Sequence, residues 1–442
     1  MAQATFHFPR GFLWGTATSS YQVEGNNTKS NWWTWEQEPG RIVNEEKSGL
    51  ADDWWGGRWR EDFDRAKQAG QNAHRMSVEW GRIQPTPDHW DESAIEHYRE
   101  MVRGLVERGM TPIVTLQHYT IPIWAEEQGG WLNQKISAQF ATYCRKVVDA
   151  LREYVNLWVT INEPNALAFH SYVEGTFPPG KQDIRLGIQG MITMVRAHAA
   201  AYQAIHETQN EAHVGIALYY RGLEPAHSWL PLDRLVRNIY NGFFNEFFPS
   251  LLKTGRARFP LSYTYIPEAK GTQDFFGLNY YTREFVAFDP SKVGELFGKR
   301  FFLPGAETSK SGQIANAPQG MFDAIQWALQ FGIPIIITEN GIDDADDDLR
   351  PRYLIQHLHQ VWRAVNFNYP VKGYFHWSLV DNFEWERAWT ERFGLWEVDV
   401  ESQARIKRPS ADLYAEIAHE NGISSEMVEK YAPELMDRMF PG

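Results

Sequence analysis

Two glutamates at the ends of strand-like segments are the residues whose surroundings suggest chemistry. Glu339 follows four apolar or β-branched residues, Ile335–Thr338, and is followed by an Asn-Gly pair. Glu163 follows the similar run Leu157–Asn162 and precedes Pro164, which stops a strand because proline cannot donate to its ladder. A short apolar run bounded by turn residues predicts a buried strand. A lone carboxylate there is ordinarily a core ion pair with an arginine, whereas two predict a pair that faces one pocket.

Such a pair has the composition that acetal cleavage requires. One carboxylic acid protonates the leaving oxygen, and the other carboxylate meets the oxocarbenium-like carbon. Their environments must differ, because the nucleophile is ionised while the acid keeps its proton near neutral pH. We expect Arg75 and Tyr281 to donate hydrogen bonds to Glu339 and keep it charged, with Glu163 in the more apolar surroundings. For Arg75, a structural ion pair with another buried carboxylate is the alternative.

Eight strand-like runs alternate with helix-period stretches and must position these residues. The runs are Phe12–Ala17, Ala73–Val78, Thr111–Leu116, Leu157–Ile161, His213–Leu218, Asp274–Asn279, Ile333–Thr338 and Gly373–Ser378. Helical patterns cover Ala94–Arg108, Ser137–Tyr154, Thr193–His206, Gln319–Phe331 and Pro351–Asn366. Strands that alternate with helices indicate βαβ units and a parallel sheet.

We therefore predict an α/β fold, a (β/α)8 TIM barrel that forms a single domain over residues 1–442. Long βα loops are expected at Gly25–Gly57, Tyr172–Gly187 and Arg283–Ala317. A doubly wound open sheet is the alternative, but no Gly-x-Gly-x-x-Gly follows the first strand to support it.

In a barrel, polar residues at the carboxyl ends of the strands converge on one bowl. Besides the two glutamates, these ends carry an arginine, amides, a histidine and indoles: Gln22, Arg75, His118, Asn162, Asn279, Tyr281, Trp377, Glu384 and Trp385. The sequence has no His-Glu-x-x-His spacing, so we expect no metal, and it has no Gly-x-Ser-x-Gly elbow of a serine hydrolase. We also expect no cofactor.

Composition limits the partners and the compartment. The net charge of −13 and the lack of a basic cluster disfavour nucleic acid and anionic membranes as partners. The single cysteine, Cys144, lies in a helical pattern and is expected to be a packed thiol. Residues 1–10 show no signal-peptide pattern and no stretch has about 20 apolar residues, so we expect a cytoplasmic protein. The oligomeric state is left open.

Two further segments have a predicted structure. Six tryptophans, at positions 32, 33, 35, 54, 55 and 59, lie in a Gly- and Pro-containing stretch that we interpret as loop. They offer a stacking platform for sugar rings, with packing against the barrel rim as the alternative. The acidic run Asp343–Asp348 is interpreted as a solvated helix start, since acidic side chains suit the helix dipole there.

Four ordered motifs resemble those of glycoside hydrolase family 1, the β-glucosidase family. Phe12–Gly25 is similar to its N-terminal signature and Thr160–Pro164 to its acid/base motif. Ile337–Gly341 is similar to its nucleophile motif and Asp381–Trp385 to its sugar-binding motif. The resemblance extends over essentially the whole chain, and the four motifs at these spacings are specific to the family.

The resemblance implies a retaining β-glycosidase with Glu163 as general acid/base and Glu339 as nucleophile. A β-glucosidase is implied first, acting on β-glucosides and cello-oligosaccharides, with fucosyl and galactosyl substrates left open. Trp377 would be the stacking floor, and Asn279 and Tyr281 would orient the sugar and the nucleophile. Hydroxyl-binding roles are implied for Gln22, His118, Asn162, Glu384 and Trp385. From these roles we expect Gln22 and Glu384 to reach the same sugar from opposite sides of the bowl.

Other branches and other functions are disfavoured. The thioglucosidase branch has Gln where Glu163 stands, and the carboxylate of Glu384 would repel a 6-phosphate. A non-catalytic carbohydrate-binding barrel is the alternative function, but binding alone needs no second carboxylate. A barrel isomerase or lyase would call for a metal cluster or a phosphate-binding glycine loop.

Two segments depart from the family pattern. Where the family usually has His-Trp-Asp-Leu-Pro, this chain has His-Tyr-Thr-Ile-Pro at His118–Pro122. Glu386–Trp389 stands where the family has a small residue, any residue, glycine and an aromatic residue. Both segments are expected near the sugar, so they leave the choice among gluco, galacto and fuco substrates open.

Overall fold

Eight parallel strands close a barrel in the computed structural model, which describes residues 4–259 and 262–441. We number the strands in chain order: β1 Leu13–Ala17, β2 Ala73–Ser77, β3 Thr111–Gln117, β4 Leu157–Asn162, β5 His213–Tyr219, β6 Phe275–Asn279, β7 Ile335–Asn340 and β8 Val371–Trp377. Each strand pairs with the next, and β8 pairs with β1. The predicted α/β barrel and its eight strand segments are confirmed.

Small and large side chains alternate inside the barrel and fill it. The interior cluster combines alanines of β1, β2 and β5 with bulky residues such as Ile113, Val159 and Phe375. Gly15 of β1 leaves the space that Phe375 occupies, since a Cβ there would lie 2.5 Å from the phenyl ring. This layer is a packed core beneath the open carboxyl end of the barrel.

One main helix follows each strand and covers the outside of the barrel. In chain order these are α1 Trp59–Gln68, α2 Glu92–Glu107, α3 Ile136–Leu151, α4 Ile184–Thr208, α5 Phe247–Thr254, α6 Pro318–Ala328, α7 Arg350–Asn366 and α8 Pro409–Glu420. The five predicted helices are present. α4 begins at Ile184 rather than at Thr193, because Asp183 caps it by accepting from the Arg185 amide at 2.8 Å. Cys144 is buried on α3, as predicted.

The remaining elements lie in the loops and at the ends of the chain. Further helices cover Ser20–Glu24, Asn31–Glu36, Trp80–Ile83, Ile123–Glu127, Pro164–Phe169, Pro231–Asn241, Ser425–Tyr431 and Met436–Met439. Small ladders join Thr5–His7 with Gly422–Ser424, Arg256–Phe259 with Ser262–Tyr265, and Trp396–Val398 with Arg405–Lys407. A three-stranded sheet contains Gly222–Pro225, Arg283–Phe288 and Gly298–Phe301. The predicted long insertions follow β1, β4 and β6, so they are βα loops.

The tryptophan-rich segment differs from its prediction. It contains the short helix Asn31–Glu36, and Trp59 opens α1. Trp32, Trp54 and Trp59 are buried, and the Trp32 ring packs 4.8 Å from Trp385. These indoles therefore pack beneath the loops, and the alternative of rim packing is the correct one for them.

The acidic run 343–348 is also corrected in part. It does precede α7, and Asp344 accepts hydrogen bonds at 2.8 Å from the first amides of that helix. However, three of its five aspartates are buried rather than solvated. Asp347 pairs with Arg350 and accepts from the Ser410 amide at 2.6 Å, so these charges join α7 to α8.

Among the described residues, no helix is long and apolar enough to cross a membrane.

Candidate active site

A cleft of about 380 Å³ opens at the carboxyl ends of the barrel strands. Seven of the predicted site residues line it: His118, Glu163, Tyr281, Glu339, Trp377, Glu384 and Trp385. The other four are buried and form hydrogen bonds with residues of the cleft: Gln22, Arg75, Asn162 and Asn279. A groove of about 570 Å³ on the outer surface contains neither Glu163 nor Glu339, so the cleft is the candidate site.

Glu339 belongs to the end of β7 and is held through both of its oxygens. Arg75 of β2 donates from Nη1 to Oε1 at 2.5 Å, and the Tyr281 hydroxyl donates to Oε2 at 2.6 Å. Arg75 also donates to Oδ1 of Asn162 at 2.7 Å, which fixes the guanidinium between β4 and β7. A cation and a hydroxyl donor both stabilise the carboxylate over the acid, so Glu339 has the surroundings of a nucleophile.

Glu163 follows β4 and has the opposite electrostatic environment. Its backbone is left-handed, with φ of 45°, at the start of the helix Pro164–Phe169. Burial and then the charge of Glu339 raise the pKa of Glu163 to about 8. Hydrogen bonds from Tyr119 and Asn279 oppose this rise. The acid form therefore predominates at neutral pH, as a proton donor requires.

Asn279 connects the two carboxylate-bearing strands. Its Nδ2 donates to Oε1 of Glu163 at 2.7 Å and to Oδ1 of Asn162 at 3.2 Å. Its Oδ1 accepts from the Thr338 hydroxyl at 2.6 Å, next to Glu339. This amide therefore fixes the position of Glu163 relative to Glu339. It lies on β6, which stands between β4 and β7 in the order of the barrel strands.

Gln22 and Glu384 are neighbours rather than opposing walls of the cleft. Gln22 donates from Nε2 to Oε2 of Glu384 at 3.1 Å and to Oδ1 of Asn382 at 2.8 Å. The prediction that they approach a sugar from opposite sides is wrong. Because β8 pairs with β1 at the closure of the barrel, the segments that follow these strands are adjacent.

Aromatic rings line the cleft together with Glu384. The His118 ring is stacked 5.7 Å from Trp377 and 6.1 Å from Trp385. Burial, with a smaller contribution from Arg75, lowers the pKa of His118 well below its usual value. Burial, then nearby glutamates, raise the pKa of Glu384 well above its usual value. Burial thus favours the neutral forms of the His118 imidazole and the Glu384 carboxyl group, which lie beside indoles on a surface suited to neutral hydroxyl groups.

Several residues of the site were not singled out from the sequence. The hydroxyl of Tyr119 donates to Oε2 of Glu163. At the entrance, Arg300 donates to Glu174 at 2.7 Å, and Arg221 pairs with Glu284. Tyr119 directly follows His118, a predicted site residue, and this adjacency was the sequence signal that could have identified it. The entrance residues lie on loops and on the small sheet, where sequence patterns do not reveal spatial neighbours.

The fold and the carboxyl pair define the class of a (β/α)8 glycosidase, with two carboxyl groups in different surroundings within one cleft. The model of glycosyl hydrolase family 1 matches residues 4–423 of this chain. β-Glucosidase A of Thermotoga maritima is 34% identical, over 94% of this chain and 98% of its own length.

Two further comparisons agree in extent. The cytosolic β-glucosidase of Homo sapiens is 31% identical, over 95% of this chain and 100% of its own length. The solved structure of a β-glycosidase from Pyrococcus horikoshii superposes with a TM-score of 0.90 at 34% identity, over 97% of this chain and 98% of that one. The chain belongs to glycosyl hydrolase family 1 and is a retaining β-glycosidase.

Proposed function

We propose that this enzyme is a β-glucosidase in which Glu339 is the nucleophile and Glu163 the general acid/base. It removes terminal non-reducing β-D-glucosyl residues from β-glucosides and short oligosaccharides, including cello-oligosaccharides. The observation that carries the assignment is the difference between the two carboxyl groups. Glu339 accepts from Arg75 and Tyr281, whereas burial raises the pKa of Glu163. Similar proteins named β-glucosidase support the choice of substrate.

In the first step, a carboxylate oxygen of Glu339 attacks the anomeric carbon as the bond to the leaving oxygen breaks. Glu163 gives its proton to that oxygen, so the aglycone leaves as an alcohol. In the second step, the carboxylate of Glu163 takes a proton from water while the water oxygen attacks the anomeric carbon. The ester bond to Glu339 breaks, and the sugar leaves with its β configuration retained.

The remaining predicted residues are assigned to the sugar. Trp377 is proposed as its stacking floor, and Asn279 and Tyr281 as the groups that orient it and the nucleophile. Hydroxyl binding is proposed for Gln22, His118, Asn162, Glu384 and Trp385. Their positions around one cleft support this assignment. The proposed range includes β-D-fucosides and β-D-galactosides, because Glu386–Trp389 departs from the family pattern beside Trp385.

Residues 1–442 are proposed to form one domain that acts on small carbohydrates rather than on nucleic acid or membranes. The net charge of −13 supports this choice of partner. A cytoplasmic location is proposed because the chain has a single, buried cysteine and a similar human protein is named cytosolic. Cell fractionation with an antibody against the protein checks the location.

Chemical rescue by azide tests the two catalytic roles. In Glu339→Ala no glycosyl-enzyme forms, so hydrolysis should collapse, and azide should enter from the vacated side to give an α-glucosyl azide. In Glu163→Ala, activated aryl glucosides should still form the intermediate, and azide should give the β-glucosyl azide. NMR of the products distinguishes the anomers. Exchanged anomers would mean reversed roles, and full hydrolysis by either variant would contradict the mechanism.

A further inference from the structure

Tyr119 contacts the proposed acid/base through its hydroxyl group. It follows His118 in the segment after β3, and its hydroxyl donates to Oε2 of Glu163. Asn279 occupies Oε1 of the same carboxyl at 2.7 Å. Each oxygen of Glu163 thus has its own protein partner, and the phenol is the partner that lines the cleft.

The surrounding chain holds this phenol in place. Tyr119 has a φ of 69°, in the left-handed region that residues with a Cβ rarely adopt. Its ring lies 5.0 Å from Trp385, 5.2 Å from His118 and 5.4 Å from Phe177. An uncommon backbone conformation and three aromatic contacts fix the direction of the hydroxyl. Strained backbone positions of this kind cluster at active sites.

We infer that Tyr119 is a positioning residue that holds Glu163 and stabilises the charge that develops when Glu163 gives up its proton. The inference rests on the proposed function of Glu163. A phenol suits both stages, because it accepts a hydrogen bond from the acid and donates one to the carboxylate. Burial raises the pKa of Tyr119 well above its usual value, so the phenol keeps its own proton.

This role is specific to a tyrosine at this position. The family usually has tryptophan there, and an indole N–H donates but cannot accept. The departure from the family pattern therefore supplies a group that can bond to both protonation states of Glu163. The charged groups Glu339 and Arg75 also act on the pKa of Glu163. Their effect does not depend on whether position 119 is tyrosine or tryptophan.

Tyr119→Phe tests the inference, because it removes the hydroxyl and keeps the ring. Cellobiose and methyl β-glucoside need a proton on the leaving oxygen, whereas 2,4-dinitrophenyl β-glucoside needs little proton donation. We expect kcat/KM for the first two to fall about tenfold more than for the dinitrophenyl substrate, the loss of one charge-assisted hydrogen bond. In the wild type the hydrogen bond from Tyr119 lowers the pKa of Glu163. Its removal should raise that pKa and move the alkaline limb of the pH profile to higher pH.

Tyr281→Phe is the matched control. Its hydroxyl contacts Glu339 rather than Glu163, so its removal should slow all three substrates by a similar factor. Thermal unfolding checks that the variants fold, and Tyr119→Leu replaces the phenylalanine variant if that one does not. An equal loss on all substrates with an unmoved alkaline limb would overturn the inference. Azide rescue of Glu163→Ala tests the proposed function separately, so the two failures are distinguishable.

Discussion

At the scale of residues, the site separates two identical side chains by their surroundings. Glu339 accepts from a guanidinium and a phenol, whereas Glu163 receives neutral donors and faces the charge of Glu339. Burial and the charge of Glu339 disfavour the ionised form of Glu163, so the proton stays on Glu163 near neutral pH. This division of one proton between two glutamates is what double displacement needs at its start.

The alkaline limb of activity should belong to Glu163. Glu163 must be protonated to donate a proton to the leaving oxygen. The value of kcat/KM should therefore be high below the raised pKa of Glu163 and should fall as the pH rises through that pKa. The first test is a pH profile of the wild-type enzyme on cellobiose. The second is a profile of Glu163→Gln on 2,4-dinitrophenyl β-glucoside, where the limb should be absent because the amide does not titrate. A limb that persists in the variant would assign it to another group.

At the scale of elements, the sugar-binding segment after β8 is anchored to the start of α8. Arg408 donates to both oxygens of Asp381, at 2.7 Å and 2.9 Å, and to the carbonyl oxygen of Gly394 at 2.8 Å. Arg408 is 5% exposed and Asp381 is fully buried. Asp381 begins the motif that ends at Trp385, so this ion pair fixes the loop that carries Glu384.

Arg408→Met should destabilise the fold by about 3 kcal/mol, because it leaves the buried charge of Asp381 with the more distant Arg392, whose Nη1 lies 3.6 Å from Oδ2. Urea unfolding measures the loss. Arg352→Met is the control, since Arg352 pairs with Glu434 at a more exposed place and should lose less than about 1 kcal/mol. The double variant Arg408→Met/Asp381→Asn should recover part of the loss. Equal effects of the two arginine variants would contradict this account.

At the scale of the whole molecule, closure of the barrel depends on close contact between its first and last strands. Phe375 of β8 packs where Gly15 of β1 has no side chain, and the Gly15 carbonyl accepts from Tyr414 at 2.6 Å. A Cβ at Gly15 would also lie 2.7 Å from the carbonyl oxygen of Ala73. The contact with Ala73 involves a backbone atom, so a change of side-chain rotamer cannot relieve it.

Gly15→Ala should therefore lower the free energy of unfolding by about 1–3 kcal/mol through overpacking of the barrel interior. Denaturant unfolding measures the change. Gly294→Ala is the matched control, because no atom lies within 4 Å of a Cβ at that position and its φ is not positive. If the Gly15 variant is as stable as the wild type, the strands separate more easily than the contacts indicate.

The barrel strands, their alternation with helices and the positions of both glutamates could be predicted from local sequence patterns. Each strand is a local apolar run, and each glutamate directly follows such a run, so the information lies within a few neighbouring residues. The hydrogen bonds from Arg75 and Tyr281 to Glu339 were also foreseeable, because strand ends of a barrel converge. Burial was less readable: Trp32 and Asp347 stand in polar, turn-rich surroundings and are nevertheless inside.

Which distant side chains meet could not be predicted from local patterns, because it depends on the folded barrel. Gln22 bonds to Glu384 because β8 pairs with β1, which no pattern around either residue records. Tyr119 reaches Glu163 because its backbone is left-handed, a conformation that its residue type does not signal. Asp347 is buried because the amide and hydroxyl of Ser410, on α8, donate hydrogen bonds to it. Local patterns specify elements, whereas these contacts depend on how the closed barrel brings separate segments together.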